Sequence, residues 1–187
     1  MELDEVIKSR RSIRRYQSRD ISDAQIMELL DLARYAPSSM DGQPWCFIIV
    51  REPEIKKKLA AIKNKFCPIE KMMYQADFLR YAPVIIVVCV DVERSYDREI
   101  ENGVLATALI LLGACNRGVG SVYMSAYSQT QPGISREIKE LLHLPENIMP
   151  VNLVPIGYPQ EGTDPKSVKP LSEIIYDETF RLKFERT

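Results

Sequence analysis

An arginine-rich segment near the start of the chain has the composition of an oxyanion receptor. The letters RRSIRRY occupy residues 10–16. Side chains alternate along an extended chain, so Arg10, Ser12 and Arg14 would point the same way. Two guanidinium groups that flank a hydroxyl suit a phosphate, because arginine can bind an oxyanion in bidentate fashion. A solvated basic turn between two helices is the alternative interpretation of this segment.

A second polar segment, APSSMDGQPW, occupies residues 36–45 and precedes an apolar run. Its hydroxyls come from Ser38 and Ser39, and its carboxylate and amide come from Asp41 and Gln43. These groups could hydrogen-bond the polar edge of a ring, and two prolines restrict the loop that carries them. A plain connecting loop fits the same residues equally well.

Other familiar chemical motifs are missing from the sequence. GVGSVYMSA at 118–126 contains a GxG, but it lacks the third glycine and follows a helix rather than a strand, so a dinucleotide-binding fingerprint is rejected. The single histidine, His143, is expected at a helix end rather than as a catalytic base. The four cysteines are widely spaced without a CxxC pair, which favours a cytosolic chain without protein-bound metal. Cys46 and Cys89 lie in apolar runs and are expected to act as small buried hydrophobes.

Length and charge narrow the class of protein. The 187 residues suit one domain, and 25 basic against 26 acidic residues give no excess charge that would suggest nucleic acid as a partner. No apolar stretch approaches the roughly 20 residues that a membrane-spanning helix needs. The N-terminus is charged from its second residue, unlike a signal peptide. A cytoplasmic protein without a membrane segment is therefore expected.

Hydrophobic periodicity predicts a mixed α/β layer with several helices around a modest sheet. The predicted helices cover residues 2–9, 23–36, a segment that begins at Pro53, 97–116 and 134–142, and the predicted strands cover 45–50, 84–90, 121–124 and 149–156. Residues 64–82 are expected to hold a loop with a short helical piece. The helix over 97–116 is apolar on most sides, so it must be buried within the domain or in a dimer. The C-terminal arm, 171–187, carries apolar residues such as Phe180 and Phe184, and a partner subunit is a natural place for it to pack.

Taken in order, four segments resemble the Nitroreductase family of FMN-dependent flavoproteins. They are RRSIRRY, APSSMDGQPW, GVGSVYMSAY and LHLPENIMPVNLVPIGYP, and the resemblance runs from about Val6 to Tyr176. It implies a single FMN-binding domain over residues 1–187, with an α+β sandwich around a mostly antiparallel sheet. It also implies an intertwined homodimer with FMN sites at the interface.

The resemblance also implies a set of flavin-binding residues. Arg10 and Ser12 would bind the phosphate and ribityl region, Arg11 would contribute its backbone, and Arg14 would reach the pyrimidine edge. The partner subunit would contribute Pro37, Ser38, Ser39, Asp41 (where asparagine is commonest in the family) and Gln43 of the QPW motif. Ser125 and Ala126 would sit at the N5 side of the flavin, where a backbone N–H donates to it. Lys166 would bind the phosphate, and Lys169 would replace the basic residue that is absent at Val168.

The implied activity is a ping-pong reduction, in which NAD(P)H donates hydride and a small flat nitroaromatic or quinone-like acceptor is then reduced. No side chain is expected to be catalytic, and Arg14 would give electrostatic support. A non-catalytic FMN-binding or flavin-sensing protein, and a specialised reductase such as a dehalogenase, are the alternatives within this fold. A domain whose arginines are only surface charge would bind no flavin.

Overall fold

Two apolar strands from distant parts of the chain form the centre of the sheet. In the computed structural model, which describes residues 1–67, 75–162 and 164–181, these are β2 (Val84–Asp91) and β5 (Ile148–Gly157). They pair antiparallel, and β1 (Trp45–Val50) pairs antiparallel with the other edge of β2. All seven residues Val84–Val90 are buried, which confirms the predicted central strand.

Two short strands line the free edge of β5. They are β3 (Gly120–Ser121) and β4 (Met124–Ser125), so the single strand predicted over 121–124 is wrong. Both follow one antiparallel register, which would place Val122 opposite Pro155. Pro155 has no N–H to donate, and the ladder is interrupted there. The hydroxyl of Tyr16 lies 3.3 Å from the Pro155 carbonyl.

Helices cover both faces of the sheet. The described helices are α1 (Leu3–Ser9), α2 (Asp23–Ala33), α3 (Pro53–Lys65), α4 (Glu99–Asn116), α5 (Gly133–Leu141) and α6 (Leu171–Ile174). Alternate residues of β2 pack against α3 and α5 on one face and against α2 and α4 on the other. The result is the expected α+β sandwich with an antiparallel sheet.

Element boundaries follow local signals closely. Ser22 and Gln25 form a capping box at the start of α2, and the helix ends three residues before the predicted limit of 36. Part of the uncertain segment 64–82 forms a 3-10 turn at Asp77–Tyr81, and its middle lies outside the described residues. Within the described parts of the chain, no helix has both the length and the apolarity to cross a membrane.

The outer side of the molecule retains an apolar surface. Leu105 of α4 is 41% exposed in the single chain, and its helix was predicted to be buried within the domain or in a dimer. In the C-terminal arm, Leu171, Ile174 and Phe180 are more than half exposed, and Phe184 lies outside the described residues. The single chain therefore leaves uncovered the two regions for which a partner subunit was expected.

Candidate functional site

The arginine-rich segment lies extended along the edge of the sheet. Ser12 forms a bridge with Ser121 of β3, and the Ile13 N–H donates to the Ser121 carbonyl at 3.0 Å. Gly120 permits this approach, since a Cβ there would lie 2.8 Å from the Ile13 side chain. The extended backbone on which the alternation depends is therefore present, and it continues the sheet beyond β3.

Arg10 and Arg11 line a cavity of about 340 Å³ between α1, the end of α4 and the chain after β5. The Arg11 guanidinium donates to the carbonyls of Lys8 at 2.6 Å, Arg10 at 3.0 Å and Asp164 at 2.9 Å. Among the described residues, the Arg10 side chain makes no comparable hydrogen bond. Arg11 thus braces the cavity wall, while Arg10 can offer its donors to an anion.

The basic loop at residues 164–169, which follows β5, meets the arginine segment through Arg11. Lys166 is two residues from Asp164, so its Cα lies within roughly 7 Å of that anchored residue. Lys166 and Lys169 are both exposed, and Val168 between them is 71% exposed. The fold brings Lys166 towards the predicted phosphate site, and it leaves Lys169 on the same exposed loop.

Arg14 supplies a partly buried cation on the same segment. Its guanidinium lies 5.9 Å from the ring centroid of Phe78, and burial lowers the pKa of Arg14. Burial also raises the pKa of the neighbouring Tyr16, whose hydroxyl donates to the Ile13 carbonyl at 2.6 Å. Arginine keeps its charge at neutral pH despite such a shift, so a positive charge is held here in a poorly solvated position.

Strand β4 separates the roles of Ser125 and Ala126. The Ala126 N–H donates to the Val151 carbonyl at 2.8 Å, so the sheet already uses it. Ser125 opposes Asn152 in the alternate type of pair, in which the backbone N–H and C=O point away from the partner strand. Of the two predicted donors, the Ser125 N–H is therefore the one directed out of the sheet.

Lys63 on α3 also reaches this position, and it was not among the predicted site residues. Its ammonium donates to the Ser125 carbonyl at 2.6 Å, and burial lowers the pKa of Lys63. Its spacing carries a usable signal, because Lys63 follows the buried Leu59 by four residues and so shares its helix face. A lysine on an apolar face often has a specific partner.

The loop at 36–45 is held by the N-terminal turns of α4. The buried Asn102 accepts a hydrogen bond from the Ser39 N–H at 3.0 Å, and its backbone carbonyl accepts one from Trp45 Nε1 at 3.0 Å. Met40, Asp41 and Gln43 have φ near +50°, an unusual conformation for residues other than glycine. Such strain persists only where surrounding contacts impose it, and Asn102 supplies two of them. Asn102 was not among the predicted site residues.

Side chains within the loop also bond one another. The Gln43 amide donates to the Asp41 carboxylate at 3.1 Å, and the Gln43 N–H donates to the Ser38 hydroxyl at 3.0 Å. Pro37 is exposed at the start of the loop. The polar groups predicted for this segment are therefore gathered into one ordered turn.

The loop and the arginine segment lie near opposite ends of α4. Asn102 holds the loop, whereas Cys115 lines the cavity beside Arg10. These two helix positions are 13 residues apart, or about 20 Å at 1.5 Å per residue. One chain therefore does not bring the two predicted halves of the flavin site together.

The fold and this edge site define the class: an α+β protein that presents clustered arginine donors, a partly buried cation and an outward backbone N–H along one sheet edge. The sequence pattern of the Nitroreductase family matches residues 7–158. The chain belongs to the Nitroreductase family.

Relatives and solved structures agree with that assignment. A protein of Archaeoglobus fulgidus named "Putative NADH dehydrogenase/NAD(P)H nitroreductase" is 38% identical over 162 residues, which cover 85% of this chain and 86% of that protein. An iodotyrosine deiodinase of Thermotoga neapolitana is 27% identical and covers 92% of this chain and 95% of its own length. The structure of an FMN-dependent nitroreductase from Clostridium difficile superposes with a TM-score of 0.81 at 26% identity, covering 95% of this chain and 99% of the other.

Proposed function

We propose that this Nitroreductase-family enzyme, an NAD(P)H-dependent FMN oxidoreductase, reduces nitroaromatic or quinone-like acceptors by a ping-pong mechanism. The observation that carries the proposal is the edge of the sheet, where the extended segment 10–16 runs beside β3 and brings Arg10 to the lining of a cavity. FMN supplies the redox chemistry when bound, taking hydride from NAD(P)H and passing electrons to the acceptor. The protein's own groups bind, orient and electrostatically support that cofactor.

Most of the predicted residues have roles that their surroundings permit, and Ala126, whose N–H the sheet uses, does not. Arg10 and Ser12 would bind the phosphate and ribityl region, with Lys166 and then Lys169 as additional cations. Arg14 would stabilise negative charge on the pyrimidine edge, since a cation fixed in a poorly solvated place acts more strongly than one in water. The Ser125 N–H would donate to the flavin ring. No side chain is assigned a chemical step.

The other half of the site would come from a second copy. The turn from Pro37 to Gln43 lies too far along α4 to serve the same chain's arginines. An apolar groove of about 500 Å³ between α1, α2 and α4 includes Leu3, Tyr35 and Leu109, and a partner would cover such a surface. We therefore propose a homodimer in which residues 1–187 form one domain and the arm at 171–187 packs on the partner.

The compartment forms part of the proposal. Cys46, Cys89 and Cys115 are thiols rather than disulfides, which is typical of a reducing compartment. A cytoplasmic location agrees with that state and with the use of NAD(P)H.

An absorption spectrum tests the proposal directly. The purified protein should show an FMN spectrum that bleaches on anaerobic addition of NADH or NADPH and recovers when a nitroaromatic compound or quinone is added. Bound flavin that neither donor bleaches would favour a flavin-sensing protein. If FMN is absent and cannot be reconstituted, the proposed function is wrong.

Similarity to an iodotyrosine deiodinase supports a second candidate, reductive dehalogenation. The two activities are separated by offering 3-iodotyrosine and a nitroaromatic compound to the reduced enzyme in parallel. Reoxidation by the nitroaromatic compound alone supports the main proposal. Iodide release without nitro reduction would replace it with the second candidate.

A further inference from the structure

Two polar side chains lie inside the apolar layer between α4 and β5, and the proposed function does not use them. Asn152 of β5 and Thr107 of α4 are both fully buried. A buried amide is costly unless its donors and acceptors are satisfied, so the contacts of this pair need an explanation.

The pair connects α4 to the backbone of β4. The Thr107 hydroxyl lies 2.9 Å from Asn152 Oδ1 and 2.8 Å from the Gly103 carbonyl, and Asn152 Nδ2 donates to the Met124 carbonyl at 3.3 Å. The Met124 carbonyl can only accept, so the Asn152 NH₂ must face β4 and its oxygen must face Thr107. The hydroxyl hydrogen of Thr107 then serves that oxygen, and this fixes the orientation of the amide.

Asn152 thereby adds a side-chain contact to the peptide that carries the Ser125 N–H, whose carbonyl the pairing of Met124 with Leu153 also directs towards β5. The Met124 carbonyl and the Ser125 N–H belong to one planar trans peptide, so they point in opposite directions. Holding the carbonyl towards β5 directs the N–H away from the sheet. Lys63 holds the next carbonyl, that of Ser125, so consecutive peptides are anchored by different elements.

We infer that Asn152, oriented by Thr107, is a positioning residue of the FMN site that aims the Ser125 N–H at the flavin. The inference rests on the proposed function, because FMN gives that N–H its role. It assigns the α4–β5 layer a part in cofactor binding, although neither side chain touches the site. Thr107 is the position through which α4 influences that peptide.

Five variants separate positioning from general stability. Thr107→Val and Asn152→Leu replace polar groups by apolar ones of similar size, and the double variant removes both partners. Thr107→Ser retains the hydroxyl. Val154→Ala is the matched control, since Val154 is buried two residues further along the same face of β5 and its side chain cannot hydrogen-bond.

FMN dissociation constants and thermal unfolding of the flavin-free protein are measured for each variant. We expect Thr107→Val and Asn152→Leu to weaken FMN binding about 5- to 10-fold, the range that loss of one net hydrogen bond gives. The double variant should bind FMN no worse than whichever single variant has the higher FMN dissociation constant. Its unfolding temperature should be higher than that of Thr107→Val, because no buried polar side chain is left unpaired. Thr107→Ser and Val154→Ala should stay within about twofold of the wild-type affinity.

Two results would overturn the inference. One is an FMN affinity that simply follows unfolding temperature across all five variants, Val154→Ala included. The other is unchanged affinity in both Thr107→Val and Asn152→Leu when the wild type binds FMN.

Amide hydrogen exchange at Leu153, whose N–H faces the Met124 carbonyl across the β4–β5 pair, gives an independent measure in the flavin-free protein. It should be faster in Thr107→Val than in Thr107→Ser, and equal rates would also contradict the inference. A wild-type protein that binds no FMN refutes the proposed function and this inference with it, whereas a wild type that binds FMN while the exchange rates are equal refutes the inference alone.

Discussion

Replacing Arg10 by alanine tests the phosphate assignment, and its neighbour Arg11 provides the matched control. Arg11 makes three hydrogen bonds to backbone carbonyls and so braces α1 against the late loop. Arg10 lines the same cavity, and its side chain makes no such bond among the described residues. The two residues have the same side chain and adjacent positions, yet Arg11 bonds the backbone whereas the Arg10 guanidinium can bind an anion.

The expected magnitudes follow from that difference. A hydrogen bond to a charged group contributes about 1.5–3 kcal/mol, so Arg10→Ala should weaken FMN binding roughly 10- to 100-fold. The unfolding temperature of the flavin-free protein should hardly change, because the folded chain loses no hydrogen bond. Arg11→Ala should instead lower the free energy of unfolding by about 1–2 kcal/mol, and it should weaken FMN binding less than Arg10→Ala does.

Fluorescence titration of flavin-free protein with FMN, repeated at several salt concentrations, measures the first effect. Loss of an ionic phosphate contact should also make the affinity of Arg10→Ala less sensitive to salt. The reasoning is refuted if Arg10→Ala binds FMN like the wild type. It is refuted equally if Arg11→Ala loses more affinity than Arg10→Ala.

Three further predictions concern groups outside that cavity. Burial lowers the pKa of Lys63 below its value in the unfolded chain, so the free energy of unfolding of the wild type should rise relative to that of Lys63→Met as the pH increases towards 10.5. Urea unfolding measures this difference, and parallel pH profiles for the two proteins would contradict the prediction. Leu109→Asp should place a charge in the apolar groove, dissociate the proposed dimer and reduce FMN binding at least tenfold, as sedimentation and titration would show. A monomeric wild type with full FMN affinity would contradict a site shared between two copies. A hydrogen bond from the Cys89 thiol to the Cys46 sulfur lowers the pKa of Cys46. Alkylation of Cys46, followed by mass spectrometry, should therefore begin at a lower pH in the wild type than in Cys89→Ala.

Local signals in the sequence were sufficient for most of the framework. The continuous apolar run of β2 and the capping box at Ser22 act over a few residues, so they can be interpreted without knowledge of the fold. The arginine segment could also be predicted from the sequence, because side chains alternate along any extended chain and the charge of the segment follows from its composition. The resemblance added the flavin, which no spacing of residues indicates.

Contacts between distant segments were not accessible in this way. Lys63 meets Ser125 across 62 residues, and Thr107 meets Asn152 across 45. Asn102 orders a loop 63 residues away. Each of these side chains is polar in an otherwise apolar environment, and only the three-dimensional partner distinguishes a positioning role from an ordinary surface residue.

The position of the site along the sheet edge follows from prolines in β5. Residues 151, 153, 155 and 157 direct their backbone groups towards the edge that carries β3 and β4, as the Ala126–Val151 hydrogen bond and the shared register show. Pro155 removes one donor from that edge, so β3 cannot continue directly into β4. The hydroxyl of Tyr16, which donates to the Ile13 carbonyl at 2.6 Å, also lies 3.3 Å from the carbonyl of Pro155, and Tyr16 is the last residue of the arginine segment. The same interruption therefore anchors the end of the segment that carries Arg10, Ser12 and Arg14, and starts a separate β4 whose Ser125 N–H points outward. A Pro155→Val variant would supply the missing N–H and favour one continuous strand, and we expect it to weaken FMN binding without loss of folding. Amide exchange at Val122 and an FMN titration would check this, and unaltered exchange together with unaltered affinity would show that the gap has another cause.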